Sequence, residues 1–421
     1  MARKFGSAGR VSKGCVALFA IMLWIASAIA DHRTMLAGDA QHTGYVKAKG
    51  PRELPQVIWQ ATTGFDRAIF DMAPVIDVEG NIYSDIGSSW RAPEEGRTGG
   101  AISFSATGKE RWRNILPKGQ YGLSVPAVAG GRVYMGFRDG VVRALDGASG
   151  KVAWEHALPA TSIIAAPAID AKHNIYITTL GQGGIFKFDG NTGEVLWNKA
   201  FGSGSGASPA LSHDEKTVYA GWAEHSTGLY ALDAETGAEK WKWAPEGEEV
   251  FFDWCSPMIG KDGTIYQQSE KNGRLYAIAD EGTRARLKWS YTPGGNINDT
   301  PRTTATDGES IYVGSSGTDP QIAALTPDGA AKWTHTIEGR AEMANILVTE
   351  DAIYFPIVVP DGGAGWIHAL DKKTGKELWR KKMTHDDSDA GGVALGKDGV
   401  LYVGTSGTDE HKYEGVLVAM K

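Results

Sequence analysis

An aliphatic residue followed by tyrosine recurs eight times along this chain. The pairs are Ile82-Tyr83, Val133-Tyr134, Ile175-Tyr176, Val218-Tyr219, Ile265-Tyr266, Ile311-Tyr312, Ile353-Tyr354 and Leu401-Tyr402, and successive tyrosines lie 51, 42, 43, 47, 46, 42 and 48 residues apart. A tryptophan series keeps phase with them: Trp59, Trp112, Trp154, Trp197, Trp241, Trp289, Trp333 and Trp379. A period of this length, made only of short strand-like runs, predicts an all-β propeller in which each unit buries apolar surface solely against its neighbours. The repeat overrides the two or three domains that 421 residues would otherwise suggest.

The second repeat shows the unit most plainly. Val125-Pro126-Ala127-Val128, Gly131 to Gly136, Val141 to Asp146 and Gly150 to Trp154 read as four antiparallel strands from axis to rim. Proline suits the start of an innermost strand, where no ladder hydrogen bond is lost, and Asp139-Gly140 marks a hairpin. Turns of the form Asp-x-x-Thr/Ser-Gly recur at Asp146, Asp189, Asp233 and Asp371. There the aspartate can bond its own backbone and the glycine supplies a positive φ. One carboxylate per turn falls short of the six to eight oxygens that calcium takes. Gly-x-x-x-Trp spacing holds in six repeats, and one tryptophan at the same place in every unit predicts rings wedged between blades, not ligand platforms.

The ends of the array explain each other. The eighth repeat has three strands and no tryptophan, while Val57-Ile58-Trp59-Gln60-Ala61 precedes the first repeat as a lone outer strand. Lending that strand to the last unit closes the ring and removes its open edges. The expected fold is therefore an eight-bladed propeller of four-stranded antiparallel blades over residues 51–421.

Residues 1–30 read as a cleavable signal peptide, with basic residues at Arg3, Lys4, Arg10 and Lys13, an apolar run from Cys15 to Ile29, and a small-x-small site ending at Ala30. The alternative is a retained anchor, although the apolar run is short for a span. Residues 31–50 form a leader segment before the propeller, and loss of 31–45 is expected to be tolerated. Loss of the signal's four positive charges takes the formal net charge from −7 to −11. That balance excludes nucleic acid as a partner. The expectation is a periplasmic or secreted monomer. One cysteine, Cys255, follows the leader, so no internal disulfide can form.

The pattern Tyr-x-Gly … Ala-Leu-Asp-x-x-Thr/Ser-Gly-x-x-x-Trp resembles the PQQ-like repeat of quinoprotein alcohol dehydrogenases. Within that superfamily the chain is most similar to the compact BamB-type propellers. Gly38-Asp39-Ala40-Gln41-His42-Thr43-Gly44-Tyr45 resembles the segment that precedes many exported members. Two functions follow from the resemblance. One is a non-catalytic module that binds protein or an envelope polymer and holds no cofactor. The alternative is a minimal oxidoreductase holding PQQ and Ca²⁺ and acting on alcohols or sugars, with Asp299 as a conceivable base. The chain lacks the adjacent cysteine pair of many quinoproteins, and it lacks the cysteine that lipidation needs after the leader.

Loops entering the innermost strands of a propeller ring its axial mouth. Alignment on the proline at each strand start places Asp71, Asp253 with Trp254, Asn298 with Asp299, Glu342, and Asp387 with Asp389 in that ring. Converging acids suit a cation or a basic partner, and Trp254 beside Asp253 is the candidate platform. His385-Asp386-Asp387 supplies one histidine, too few for a convincing metal site. No nucleophile elbow, zinc-spaced histidine pair or phosphate loop is present.

Overall fold

The computed structural model describes residues 34–421 except 67, 71, 89–96, 118–119, 123, 160–161, 182, 224–226, 295–303, 344, 360–362, 385–389 and 409–413. Eight antiparallel sheets follow one another: blade 1 (68–115), blade 2 (127–157), blade 3 (168–200), blade 4 (210–243), blade 5 (258–291), blade 6 (305–336), blade 7 (340–382) and blade 8 (390–420 with 57–62). Blade 2 has the expected order, with strands Ala127–Ala129, Arg132–Gly136, Val141–Asp146 and Val152–Ala157. Blades 1 and 7 carry short extra strands that the repeat does not announce. Ala68–Ile69 pairs with Gly87 and Ser88, and Gly317–Thr318 pairs with Arg340 and Ala341. Among the described residues no helix is long and apolar enough to cross a membrane.

Ring closure is as the sequence implied. Val57–Thr62 pairs antiparallel with the C-terminal strand, from Val57 opposite Met420 to Thr62 opposite Val416. Gln56 and Lys421 exchange backbone hydrogen bonds of 2.9 and 3.0 Å beyond it.

The tryptophans lock each blade to the next, and a local device aims them. In all eight outer ladders the register slips by one residue just before the tryptophan, so that Ile58, Arg111, Ala153, Leu196, Lys240, Lys288, Lys332 and Leu378 are the extra residues. Such a bulge bends the strand and re-aims the side chain after it. Each ring then reaches the following blade. Indole N–H groups donate to turn carbonyls there, Trp112 to Gly147 at 2.9 Å, Trp154 to Gly190 at 2.8 Å and Trp333 to Lys372 at 3.0 Å.

The ring face lies on the glycine of the next Gly-x-x-x-Trp. A methyl group at Gly193 would meet Trp154 at 2.6 Å, and one at Gly237 would meet Trp197 at 2.7 Å. The motif therefore links blades in both directions, its glycine receiving one tryptophan while its own tryptophan reaches onward. Where the glycine is missing the lock changes. Ala285 takes its place in blade 5, and Trp241 donates instead to the Asp280 carboxylate at 2.8 Å. At the closure Trp379 donates to Pro51 O at 2.9 Å.

All eight repeat tyrosines are buried. Four of their hydroxyls donate to turn carboxylates: Tyr83 to Asp77, Tyr176 to Asp170, Tyr219 to Asp280 and Tyr312 to Asp307. Burial pushes Tyr83 and Tyr134 up to about 12, so these phenols stay neutral donors across the physiological range. The Asp-x-x-Thr/Ser-Gly aspartates are spent on their own turns. Asp233 Oδ1, for example, accepts from Thr236 N at 2.9 Å and from Thr236 Oγ1 at 2.8 Å.

Candidate functional site

The two faces of the disc differ. Asp71, Asn298, Asp299, Asp387 and Asp389, expected at the entry face, lie outside the described residues, as do His385 and Asp386. Asp253, Trp254 and Glu342 are described. Asp253 is half-buried, and its carbonyl accepts from Ser205 Oγ at 3.3 Å. Trp254, 36% exposed, lies over Gly206, where a methyl group would meet its ring at 3.2 Å and Ile164 at 3.0 Å. It is thus packed across blade 4 toward blade 3.

Glu342 is not on a free loop, as the alignment implied. It belongs to Arg340–Met343 and pairs with Val358. The alignment weakens here because the innermost strands of blades 6 and 7, Ala305–Thr306 and Leu347–Val348, follow Thr304 and Ile346 instead of proline. Between blades the axis is lined by small residues in hydrogen-bonded contact: Ala166 N donates to Ser208 Oγ at 2.8 Å and Ser208 N to Ser256 Oγ at 2.9 Å. Among the described residues no group of three His, Cys, Asp or Glu side chains is placed to hold a metal ion.

The opposite face carries the turns between each innermost strand and the second. Here the leader, which the sequence reading sets aside as dispensable, is stitched to the ring. Five equivalent amides donate to its carbonyls: Val128 to Thr34 at 2.5 Å, Leu211 to Ala40 at 2.7 Å, Ile259 to Gln41 at 2.8 Å, Thr306 to Thr43 at 2.7 Å and Val348 to Gly44 at 2.8 Å. Each lies in an innermost strand, in blades 2, 4, 5, 6 and 7, opposite the aliphatic residue of its Ile/Val-Tyr pair. One short peptide therefore spans the axis and ties five blades together.

The residues of this segment explain its path. Asp39 Oδ1 accepts from Gln41 N at 3.1 Å and Thr43 N at 3.0 Å, while Oδ2 accepts from Thr43 Oγ1. Gln41 Nε2 donates to Leu211 O at 3.2 Å. Gly44 has φ +66°, and a side chain there would meet Ala305 Cβ at 2.7 Å. Glycine is required on both counts.

His42 sits beneath the segment, 1% exposed, with Nδ1 2.9 Å from Pro257 O. A carbonyl accepts only, so Nδ1 carries the proton. Nε2 is buried without a hydrogen-bond partner among the described residues. Burial lowers its pKa from 6.5 to about 4. The unfolded chain takes up this proton near 6.5 and the folded chain only near 4. The neutral ring's stabilisation is therefore complete above about pH 6.5 and is lost as pH falls toward 4, about 3 kcal/mol in all. The melting temperature is expected to fall across that window in the wild type, and less steeply in His42→Asn. Parallel pH profiles would exclude this role.

Between the leader and blades 8, 1, 2 and 3 the turn face holds a cavity of about 1,280 Å³. Leu395, Val128 and Ile169 line its floor, with Asp77, Glu79 and Arg132 at its walls. Sequence reasoning missed this face because the leader meets it through backbone carbonyls, and its charged side chains come from turns that the repeat explains without a ligand.

Comparison with known proteins agrees with the geometry. The family profile described as "Outer membrane protein assembly factor BamB" matches residues 56–208, 97–245, 181–359 and 363–419. The chain is 28% identical over 221 residues to Protein Rv3035 of Mycobacterium tuberculosis, 46% of this chain and 52% of that protein, so it spans about half the length of this curated relative. The quinohemoprotein alcohol dehydrogenase of Comamonas testosteroni superposes with a TM-score of 0.71 at 16% identity, over 95% of this chain and 82% of that one. BamB of Moraxella catarrhalis superposes with 0.61 at 18% identity, over 87% and 100%. At these identities the structural likeness establishes the fold alone. The profile matches, which run through nearly the whole propeller with its PQQ-like repeats, place this chain in the BamB-type family of PQQ-like β-propellers.

Proposed function

We propose that the protein is an exported, non-catalytic and monomeric propeller that binds another protein in the cell envelope. The observation that carries this reading is the leader on the turn face. The disc already holds an extended peptide there, through inward backbone amides of five blades. Such a frame recognises main chain first and side chains second. The rigid ring supplies preorganised donors, which lowers the ordering cost of a partner.

The oxidoreductase alternative asks the entry face to hold PQQ, a tricarboxylate, with its Ca²⁺. The described residues there fit the quinone poorly. The hydroxyls of Ser205, Ser208 and Ser256 are already engaged within the ring, and one ring face of Trp254 is packed against Gly206.

Adding PQQ and Ca²⁺ to the purified protein is expected to leave the quinone absorbance unshifted, with no dye reduction by simple alcohols or sugars. A bound-quinone spectrum with alcohol-dependent dye reduction would replace the scaffold reading by the enzymatic one. A pull-down from envelope extracts is expected to retain a discrete protein partner.

A further inference from the structure

In all eight blades one residue of the innermost strand lies opposite the aliphatic residue of the Ile/Val/Leu-Tyr pair. Leu211 faces Val218, Ile169 faces Ile175, Ile76 faces Ile82 and Leu395 faces Leu401. The residue after it donates into the ladder: Asp77 to Asn81 O, Asp170 to Asn174 O and Gly396 to Val400 O. Amides of successive strand residues point in opposite in-plane directions. The amides of Ile76, Ile169 and Leu395 therefore point toward the axis, as their five counterparts do.

Those five take leader carbonyls; among the described residues these three take none. They belong to blades 1, 3 and 8; Ile169 and Leu395 line the 1,280 Å³ cavity, and Ile76 directly precedes its lining residue Asp77. All three residues are buried, and a buried backbone donor calls for an acceptor. The cavity exceeds the roughly 300–1,000 Å³ of small-molecule pockets. Its walls carry six carboxylates against Lys47, Arg111 and Arg132; Asp39, Asp77, Asp146 and Asp170 bond their own turns, Glu215 accepts from Ala171 N, and Glu79 stands exposed. Arg111 is already held by Ser103 at 2.8 Å and Tyr83 at 3.1 Å.

We propose that this cavity binds an extended, basic peptide segment of a partner protein, whose carbonyl oxygens accept from the inward amides of Leu395, Ile76 and Ile169. The segment completes across blades 8, 1 and 3 the contact that the leader makes across the others. This site rests on the reading of the protein as a binding module and names the partner's chemistry and its face.

The test uses the full-length protein without its signal peptide, and a fluorescein-labelled decapeptide of alternating lysine and valine. In residue-resolved hydrogen exchange the free protein is expected to exchange Ile76, Ile169 and Leu395 at least about tenfold faster than Leu211, Ile259 and Val348. Saturating peptide should slow those three amides by a similar factor. Glu79→Lys, at an exposed position, should weaken binding in fluorescence anisotropy by about fivefold or more, and a glutamate-valine decapeptide should not bind. Absence of lysine-valine binding, or binding that leaves the three amides unchanged, overturns the site. If envelope extracts yield the same partner with wild type and Glu79→Lys, the site falls and the scaffold reading stands. Peptide binding with slowed amides but no envelope partner supports the site and removes the scaffold reading.

Discussion

Removal of residues 51–62 is expected to abolish cooperative unfolding and leave the protein insoluble. The deletion takes the fourth strand of blade 8, opening the C-terminal strand Val416–Met420 along its length. It also takes Trp59, whose indole donates to Ala106 O at 3.0 Å in blade 1, and Pro51 O, which accepts from both Trp379 and Tyr354. Arg52, paired with Asp371 at 2.7 Å, goes with them; at 42% exposure that pair contributes little by comparison. The ring thus loses two of its eight inter-blade locks and gains an exposed apolar edge, a template for aggregation. Soluble expression and a calorimetric scan decide the matter. A soluble protein with one sharp transition would show that the ring closes some other way.

Trp112→Ala is expected to destabilise the protein by about 3–5 kcal/mol, the range for a truncated buried aromatic. Trp112 is 7% exposed, lies on Gly150 of blade 2 and donates to Gly147 O. Truncation removes the wedge and leaves that carbonyl without its partner. Trp112→Phe keeps most of the ring and should cost less, near the roughly 1 kcal/mol of the missing hydrogen bond plus a small packing defect. Trp254→Ala supplies the contrast: with 36% exposure and no place in the lock series, it should move the denaturation midpoint little. Equal losses for Trp112→Ala and Trp254→Ala would mean that the repeat tryptophans are not the blade locks.

The fold was legible because the repeat is written in side chains. Tyrosine, glycine and tryptophan stand at fixed offsets, and each offset corresponds to a contact with the same or the next blade. The bulge before each tryptophan was not legible, since the extra residue ranges from Ile58 to Arg111 to Lys332 and its chemistry is immaterial to its role. The leader was hidden for a related reason. Thr34 to Gly44 holds the ring through carbonyl oxygens, which every residue has, and the short motif around Asp39 and Gly44 shows no strand or helix period. Gly44 and the Asp39 turn are its only traces in the residue types, since the positive φ at Ala37 and His42 falls on residues that do not announce it. The axial acids lie mostly outside the described residues. Of the eight residues named for that mouth, Asp253, Trp254 and Glu342 are described, and Glu342 sits in a paired strand.

The most direct test of binding at the turn face is site-specific photo-crosslinking in the native envelope, with the photoreactive residue at Glu79 on the turn face or at Trp254 on the entry face. A scaffold that uses the turn face should yield a discrete protein adduct from position 79 and none from position 254. Adducts from position 254 alone, or PQQ-dependent turnover without any adduct, would contradict it.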